Sequence, residues 1–311
     1  MTDALASGMI RASAWGVLLI LALIFIFVGK EALPVLHGGG EGIEGEEKVD
    51  FFRLFRPQVI GEDEAPRHKW QPVGDTPKYS LVPLLIGTAK VTLVALFLAI
   101  PLGLLAAIYT SEFAPGWARE WIKPAIEILA GIPSVVLGFF ALMVMAPWFK
   151  VTFHIGLLTT LNTGVALGLA VIPVVFTVAE DALTAVPKSY RDGSLAMGAS
   201  TWQTAWRVVL PGAFPGIFAA CILGLGRAVG ETMIVVMASG NAAVMNWSPL
   251  TGMRSLSATL AAEMGEVAHG SPHYHVLFFI GALLFVLTFV LNLLAHWWVG
   301  RLRRRLGGEP A

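Results

Sequence analysis

Long apolar segments alternate with shorter polar ones along this chain. A helix needs about 20 predominantly apolar residues to cross the hydrocarbon core of a bilayer, and six segments are apolar over roughly that length. These segments cover residues 12–29, 84–109, 126–148, 157–180, 214–240 and 276–299. The pattern predicts an all-α, polytopic membrane protein with six transmembrane helices.

Composition supports this prediction and argues against several other classes of protein. Hydrophobic residues make up 56% of the chain and charged residues 14%, and the mean hydropathy is +0.73. Soluble domains are usually about one quarter charged. The formal net charge is zero, which gives no indication of nucleic-acid binding, and the single cysteine, Cys221, leaves no disulfide framework.

The basic residues predict which side of the membrane each loop faces, because short cytoplasmic loops are enriched in Lys and Arg. Placing both termini in the cytoplasm puts ten Lys and Arg residues into the short inner segments and only Lys150 and Arg254 into the short outer loops. Both termini are therefore predicted to be cytoplasmic, with the basic tail at 301–305 touching anionic lipid. The first apolar segment is interpreted as a retained anchor rather than a cleaved signal peptide.

We predict two parts in the chain. Residues 1–78 hold the anchor helix and a polar extracytoplasmic loop of open role, and residues 79–311 hold five transmembrane helices, a cytoplasmic loop at about 187–212 and the basic tail. No G-x-x-x-x-G-K-[ST] motif occurs, so no ATP-binding site is predicted. No metal site or cofactor is predicted either, since the His-x-His pair at 273–275 has no further ligand pattern beside it.

Charged residues inside the apolar segments point to polar surroundings. Arg227 and Glu231 lie near the middle of the fifth segment, four residues apart and therefore on one face of a helix. An arginine at membrane depth is costly, and this cost is usually met inside a helix bundle or along a polar pathway. Lys90, about one turn into the second segment, is interpreted as reaching toward the membrane interface, with a place on an anion path as the alternative.

The predicted cytoplasmic loop has capping and turn residues at informative positions. Asp192, or the serine three residues before it, can cap a short helix. Gly198 permits a sharp bend, and Pro211 closes the segment before the next span. Trp202 and Trp206 are four residues apart and form one aromatic face, which suits either a groove on a partner or the lipid interface.

The spacing of this loop resembles that of the permease subunits of bacterial ABC importers. Gly198 is followed ten residues later by the aliphatic Val208, and then by Leu210 and Pro211. The family pattern has Glu-Ala-Ala before the glycine, where this chain has Asp192-Gly193-Ser194, so the acid is kept and both small positions stay small. The resemblance implies a type I importer permease fold and a short helix that couples closure of partner ATPases to the membrane spans.

Three further runs resemble the phosphate-specific (Pst) importers, and among their subunits the PstC-type permease. They are residues 107–114, 123–141 and 223–232. The resemblance covers about residues 79–299 and implies a transport subunit of the bacterial cytoplasmic membrane that is not itself an enzyme. Its implied partners are a second permease, a cytoplasmic ATPase dimer that hydrolyses ATP, and an extracytoplasmic phosphate-binding protein.

Under this resemblance, Arg227 is a candidate contact for phosphate in passage. A guanidinium offers a planar fork of donors and keeps its charge at every relevant pH, and Glu231 would hold that fork when no anion is present. The alternative is a permanent salt bridge between the two residues. Rival functions are a permease for another oxyanion such as sulfate or molybdate, the sister phosphate permease, and a non-conducting membrane scaffold or sensor.

Overall fold

The computed structural model describes residues 2–37, 51–58, 67–74 and 77–305, and most of these residues are helical. The helices are α1 (Thr2–Leu36), α2 (Val82–Ile108), α3 (Gly116–Gly131), α4 (Ser134–Phe140), α5 (Ala146–Phe153), α6 (Thr160–Thr184), α7 (Lys188–Ala196), α8 (Thr201–Thr204), α9 (Leu210–Gly230), α10 (Met233–Ala238), α11 (Leu256–Glu263) and α12 (Pro272–Arg305). Wide π turns at Tyr109–Phe113, Ala141–Met145 and Ala205–Val209 follow α2, join α4 to α5 and join α8 to α9. A two-stranded ribbon pairs β1 (Trp70–Gln71) with β2 (Lys78–Tyr79).

Six helical stretches of the described chain are long and apolar enough to cross a membrane. They are Ala6–Leu36, Val82–Phe113, Ser134–Phe153, Thr160–Thr184, Thr201–Gly230 and Pro272–Arg301. The predicted all-α, six-helix membrane fold is confirmed, with the short ribbon as an addition.

Two of the predicted spans have the wrong limits. The third was expected over 126–148, but α3 ends at Gly131 and the crossing helix begins only at Ser134. Ile132 is extended, with φ −68° and ψ 124°, as favoured for a residue that precedes a proline. The fifth was expected over 214–240, whereas its helix runs from Thr201 to Gly230 and then breaks.

The chain divides into two compact units, Met1–Val82 with Ala262–Phe285, and Pro83–Ala261 with Val286–Ala311. The first unit contains α1, the ribbon and the start of α12. Phe25 and Phe27 of α1 pack edge-on against the rings of Phe285 and Phe278 at centroid distances of 4.1 and 5.5 Å. The predicted division of the chain at residue 78 stays a prediction.

Part of the polar loop of open role folds within this first unit. Trp70 of β1 donates its indole N–H to Glu263 at 3.1 Å, and His273 Nε2 lies 3.3 Å from the other carboxylate oxygen of Glu263. The Tyr79 ring stacks on the His273 ring at 5.6 Å. His273 and His275 thus belong to the first turn of α12 and pair separately, His275 with Glu31.

In the second unit, α6 lies between α2 and α9 and is its most buried crossing helix. Glycines permit the close approach: a Cβ on Gly164 or Gly168 would press on Val94 and Leu98 of α2. Small residues at helix contacts are how membrane helices pack closely. Later residues of α6 lie against later residues of α2, so these two helices run parallel. Later residues of α9 lie against earlier residues of α6, so that pair is antiparallel, as the order of alternating spans requires.

Candidate coupling loop and transport path

Helix α7 begins the predicted cytoplasmic loop at about residues 187–212. Pro187 precedes it with extended backbone angles, φ −55° and ψ 138°, and no side chain caps it. The predicted cap by Ser189 or Asp192 is therefore wrong, because both residues lie inside the helix, which starts one residue after the proline. Asp192 is exposed, and α7 buries none of its residues.

The bend at Gly198 occurs where it was predicted. Its φ is +84°, in the left-handed region that favours glycine, and its N–H donates to the Leu195 carbonyl at 2.9 Å. Two residues later Ser200 caps α8, forming a capping box with Gln203 in which each side chain accepts a backbone N–H of the other residue. The loop thus consists of two short helices joined by a sharp turn.

An aromatic cluster is exposed around the second of these helices and the π turn that follows it. The rings of Trp202 and Trp206 lie 5.5 Å apart, and the Phe113 ring lies 5.8 Å from Trp202. Trp202 is 60% exposed and Trp206 is 42% exposed. The predicted i, i+4 face is present and is available for a lipid surface or a protein partner.

Leu210 and Pro211 lie in the first turn of α9 rather than in a linker. Pro211 was expected to close the loop, but the helix passes through it without a break. A proline donates no N–H and its ring crowds the carbonyl four residues earlier. The wide π turn over Ala205–Val209, directly before it, gives the chain the extra room and lets the helix continue.

Arg191 holds this loop to two membrane helices, a role that the sequence analysis missed. Its guanidinium donates to both carboxylate oxygens of Glu112, at 2.9 and 3.2 Å. It also donates to the backbone carbonyls of Leu183 in the last turn of α6, at 2.7 Å, and of Val186, two residues after that helix ends. Glu112 follows α2 and is 79 residues away in sequence. No local spacing rule relates such positions, and in the sequence Arg191 counted only as one of the cytoplasmic cations.

Arg227 and Glu231 do not pair. Helix α9 ends at Gly230, and Glu231 is extended with φ −68° and ψ 129°, so the two side chains do not share a helical face. The Glu231 carboxylate turns forward and accepts the backbone N–H of Met233, at 3.2 Å. Within the described residues, Arg227 is exposed and neither an ion pair nor a hydrogen bond engages its guanidinium. The prediction that Glu231 holds the Arg227 guanidinium is therefore wrong, and so is the alternative of a permanent salt bridge between them.

Residues 241–255, which follow α10, form an irregular segment that Lys90 binds. The ammonium donates to the carbonyls of Asn246 and Ser248, at 3.0 and 3.1 Å, and to the Thr251 hydroxyl at 3.2 Å. Lys90 is only 3% exposed. The loop carbonyls and the Thr251 hydroxyl engage the ammonium. That Lys90 reaches toward the membrane interface stays a prediction, as does the alternative of a place on an anion path.

Comparison with known proteins identifies the family. Residues 99–308 match the family described as binding-protein-dependent transport system inner membrane component. The chain belongs to this family.

Among curated relatives of this permease, the probable ABC transporter permease protein YqgH of Bacillus subtilis is 37% identical over 229 residues, covering 73% of this chain and 74% of the relative. The phosphate transport system permease protein PstC of Xylella fastidiosa is 30% identical over 306 residues, covering 92% and 89%. The predicted family resemblance is confirmed.

Solved structures support the fold of the permease. Inward-facing MetNI, a methionine ABC transporter, superposes with a TM-score of 0.55 at 22% identity, covering 70% of this chain and 95% of that chain. A bacterial ABC transporter involved in the import of alginate superposes with a TM-score of 0.53 at 14% identity, covering 71% and 79%. At these identities the likeness concerns the fold alone, and it is the ABC importer permease fold.

Proposed function

We propose that this permease is a subunit of an ATP-driven importer of inorganic phosphate, and that it forms the translocation path with a second permease. The observation that carries the proposal is the unengaged guanidinium of Arg227 at the break between α9 and α10. A guanidinium matches a pair of phosphate oxygens and stays charged throughout the physiological pH range. Support for phosphate also comes from relatives whose names describe phosphate transport.

Glu231 serves this path by placing a negative charge at its edge. Its carboxylate accepts backbone N–H groups of α10, and its own carbonyl accepts the Ser257 hydroxyl at 2.8 Å. The carboxylate is thereby fixed at the break, where a negative charge near the path opposes tight capture of phosphate. A conducting site must bind its ion weakly enough to release it.

The loop from 187 to 212 is the proposed contact with a cytoplasmic ATPase dimer. Its exposed side chains include Tyr190, Met197 and Trp202, which are 61%, 89% and 60% exposed. Short helices that present an apolar face commonly dock into a groove of a partner. Asp192 and Gly198 shape this surface, while Leu210 and Pro211 carry the movement directly into α9.

Both termini lie in the cytoplasm of a bacterial cell, and an extracytoplasmic binding protein delivers phosphate from the other side. ATP binding closes the ATPase dimer, the loop moves with it, and the path alternates between its two openings. Arg301 stands over the Trp297 ring at 5.4 Å, as suits the membrane interface, while the side chains of residues 302–311 lie outside the described part of the chain.

The test is phosphate uptake into proteoliposomes that contain this permease with its second permease, its ATPase and its binding protein. Arg227→Gln is expected to lower uptake roughly tenfold or more, because a charge-assisted hydrogen bond contributes about 1.5–3 kcal/mol and 1.4 kcal/mol is a factor of ten. Arg227→Lys keeps the charge but loses the fork, and should be intermediate. Lys150→Gln, which removes one exposed charge elsewhere, is the matched control and should transport normally.

Full uptake by a normally assembled Arg227→Gln complex would refute the role in cargo transit. Uptake that sulfate or molybdate suppresses as strongly as unlabelled phosphate does would point to a broader oxyanion permease. A wild-type complex that hydrolyses ATP but moves none of these anions would favour the scaffold or sensor.

A further inference from the structure

Charged side chains near both ends of α2 form contacts that join this helix to other parts of the chain. Glu112 lies in the π turn that ends it, and Lys90 lies two turns after its start. Twenty-two residues separate them, a span of about 30 Å at 1.5 Å per residue. This length is close to the thickness of a bilayer core, which suits contacts at the two opposite sides of a membrane.

At its end, α2 is joined to the coupling loop by the contact between Glu112 and Arg191. Arg191 uses four N–H···O contacts, two to Glu112, one to the Leu183 carbonyl of α6 and one to the Val186 carbonyl just after that helix. The side chains of Arg191 and Glu112 are only 20% and 7% exposed, so water screens the pair poorly. A forked guanidinium–carboxylate pair also fixes orientation, which a point charge does not.

This attachment matters because α7 has little other hold on the membrane helices. None of its residues is buried. Its neighbouring polar tie, between the hydroxyls of Ser194 and Thr204 at 3.0 Å, stays within the loop itself. Among the charged residues of α7, Arg191 is the one whose side-chain contacts reach α2 and α6 in the described chain.

Nearer its start, α2 is joined to residues 241–255, the segment that follows α10 and is called the outer segment below. Lys90 binds residues 246–251, as described above, and the Thr88 hydroxyl accepts the backbone N–H of Leu256 at 3.0 Å. Gly87 lies so close to the Arg254 carbonyl that a Cβ there would collide with it. Ser257, directly after this contact, donates to the Glu231 carbonyl. A continuous set of contacts therefore leads from α2 to Glu231, at the helix break that follows Arg227.

From these contacts we infer that α2 carries the movement of the coupling loop to the outer segment, with Arg191 and Lys90 as positioning residues at its two ends. The inference rests on the proposed function for its transport readout. When the loop moves, α9 follows because the chain is continuous, and α2 follows because Arg191 holds Glu112. The outer segment then shifts in the same event. Chains of packed side chains and hydrogen bonds between rigid elements can carry coupling between distant sites.

The experiment measures phosphate moved per ATP hydrolysed in the reconstituted complex. Arg191→Gln and Glu112→Gln should each lower this ratio about fivefold or more, a usual size for coupling between sites, while ATP hydrolysis continues. Arg191→Lys keeps the charge and should retain part of the coupling. The double variant should be no worse than Arg191→Gln alone, because Arg191→Gln already removes the interaction with Glu112.

Lys123→Gln is the matched control. Lys123 forms an ion pair of 3.0 Å with the buried Glu180, which joins α3 to α6 without touching α7. Its loss should lower the stability of the complex and leave the coupling ratio unchanged. An unchanged ratio in both Arg191→Gln and Glu112→Gln would overturn the inference, as would an equal fall in Lys123→Gln.

A second readout separates this inference from the proposed function. Val244, 45% exposed in the outer segment, can be labelled as Val244→Cys once the single native cysteine is replaced by Cys221→Ser. ATP should change the mobility of a spin label there in the otherwise wild-type complex, and Arg191→Gln should abolish the change. If the complex moves no phosphate but Arg191→Gln still abolishes the ATP-dependent change in label mobility, the proposed substrate is wrong and the inference stands. If that change persists in Arg191→Gln, the inference is refuted.

Discussion

Replacing Gly216 by alanine tests the close contact between α6 and α9. A Cβ on Gly216 would lie 2.3 Å from the Cβ of Ala182. Carbon atoms in contact normally stay about 3.5–4.0 Å apart, so the helices would have to separate by more than about 1 Å at this point. Overpacking of this kind costs about 1–3 kcal/mol, and the better helix propensity of alanine returns at most about 1 kcal/mol. We expect Gly216→Ala to destabilise the permease by about 1–2 kcal/mol.

The compensating change sharpens this prediction. With Ala182→Gly in place, the nearest remaining atom to a Cβ at position 216 is the Cα of residue 182, at 3.5 Å, which is an ordinary contact. Gly216→Ala should therefore be neutral or stabilising in the Ala182→Gly background. Gly226→Ala, on the same helix with open space around it, is the control and should not destabilise.

The assay is thermal unfolding of the purified permease in nanodiscs, followed by tryptophan fluorescence. A change of 1 kcal/mol moves the Tm of a domain of 150–250 residues by about 2–4 °C, so Gly216→Ala should lower the Tm by roughly 2–8 °C. An unchanged Tm would refute the close contact. A fall that Ala182→Gly does not reverse would show that the two positions do not meet.

Two further predictions concern the outer segment and the coupling loop. Lys90→Met should leave the carbonyls of Asn246 and Ser248 without this donor and make residues 241–255 open to limited proteolysis. Lys150→Met, at an exposed site, should not, and equal cleavage of both variants would show that Lys90 does not hold this segment. Gly198→Ala should lower the stability of the loop by about 1 kcal/mol, because φ is +84° although the space around it is open. Gly193→Ala, inside α7, should slow hydrogen exchange of the loop amides, whereas Gly198→Ala should speed it. Faster exchange in Gly193→Ala than in Gly198→Ala would contradict the turn geometry.

The charged residues of the fifth span illustrate how far local rules reach. The spacing of Arg227 and Glu231 predicts pairing only if the helix continues through both. The helix ends one residue before Glu231, whose carboxylate instead accepts N–H groups of the next short helix. The competing interaction was a cap, and nothing in hydropathy distinguishes a glutamate that pairs backward from one that caps forward.

Partners that are distant in sequence decided the roles of Lys90 and Arg191. Lys90 has the pattern of a lysine reaching for an interface, yet a returning segment more than 150 residues later supplies its acceptors. Arg191 looks like one more cytoplasmic cation, yet it meets Glu112 across 79 residues. Charge placement in the sequence predicted the side of the membrane, and folding selected the partner.

What the sequence by itself determined is what depends on sums over neighbouring residues. Six crossing helices follow from hydropathy, the bend at Gly198 from glycine's backbone freedom, and the family from the order and spacing of short motifs. What only the tertiary structure decided is where helices break and which charges meet. Those depend on a few hydrogen bonds between distant segments, whose partners come within reach only when α2, α6 and α9 pack together.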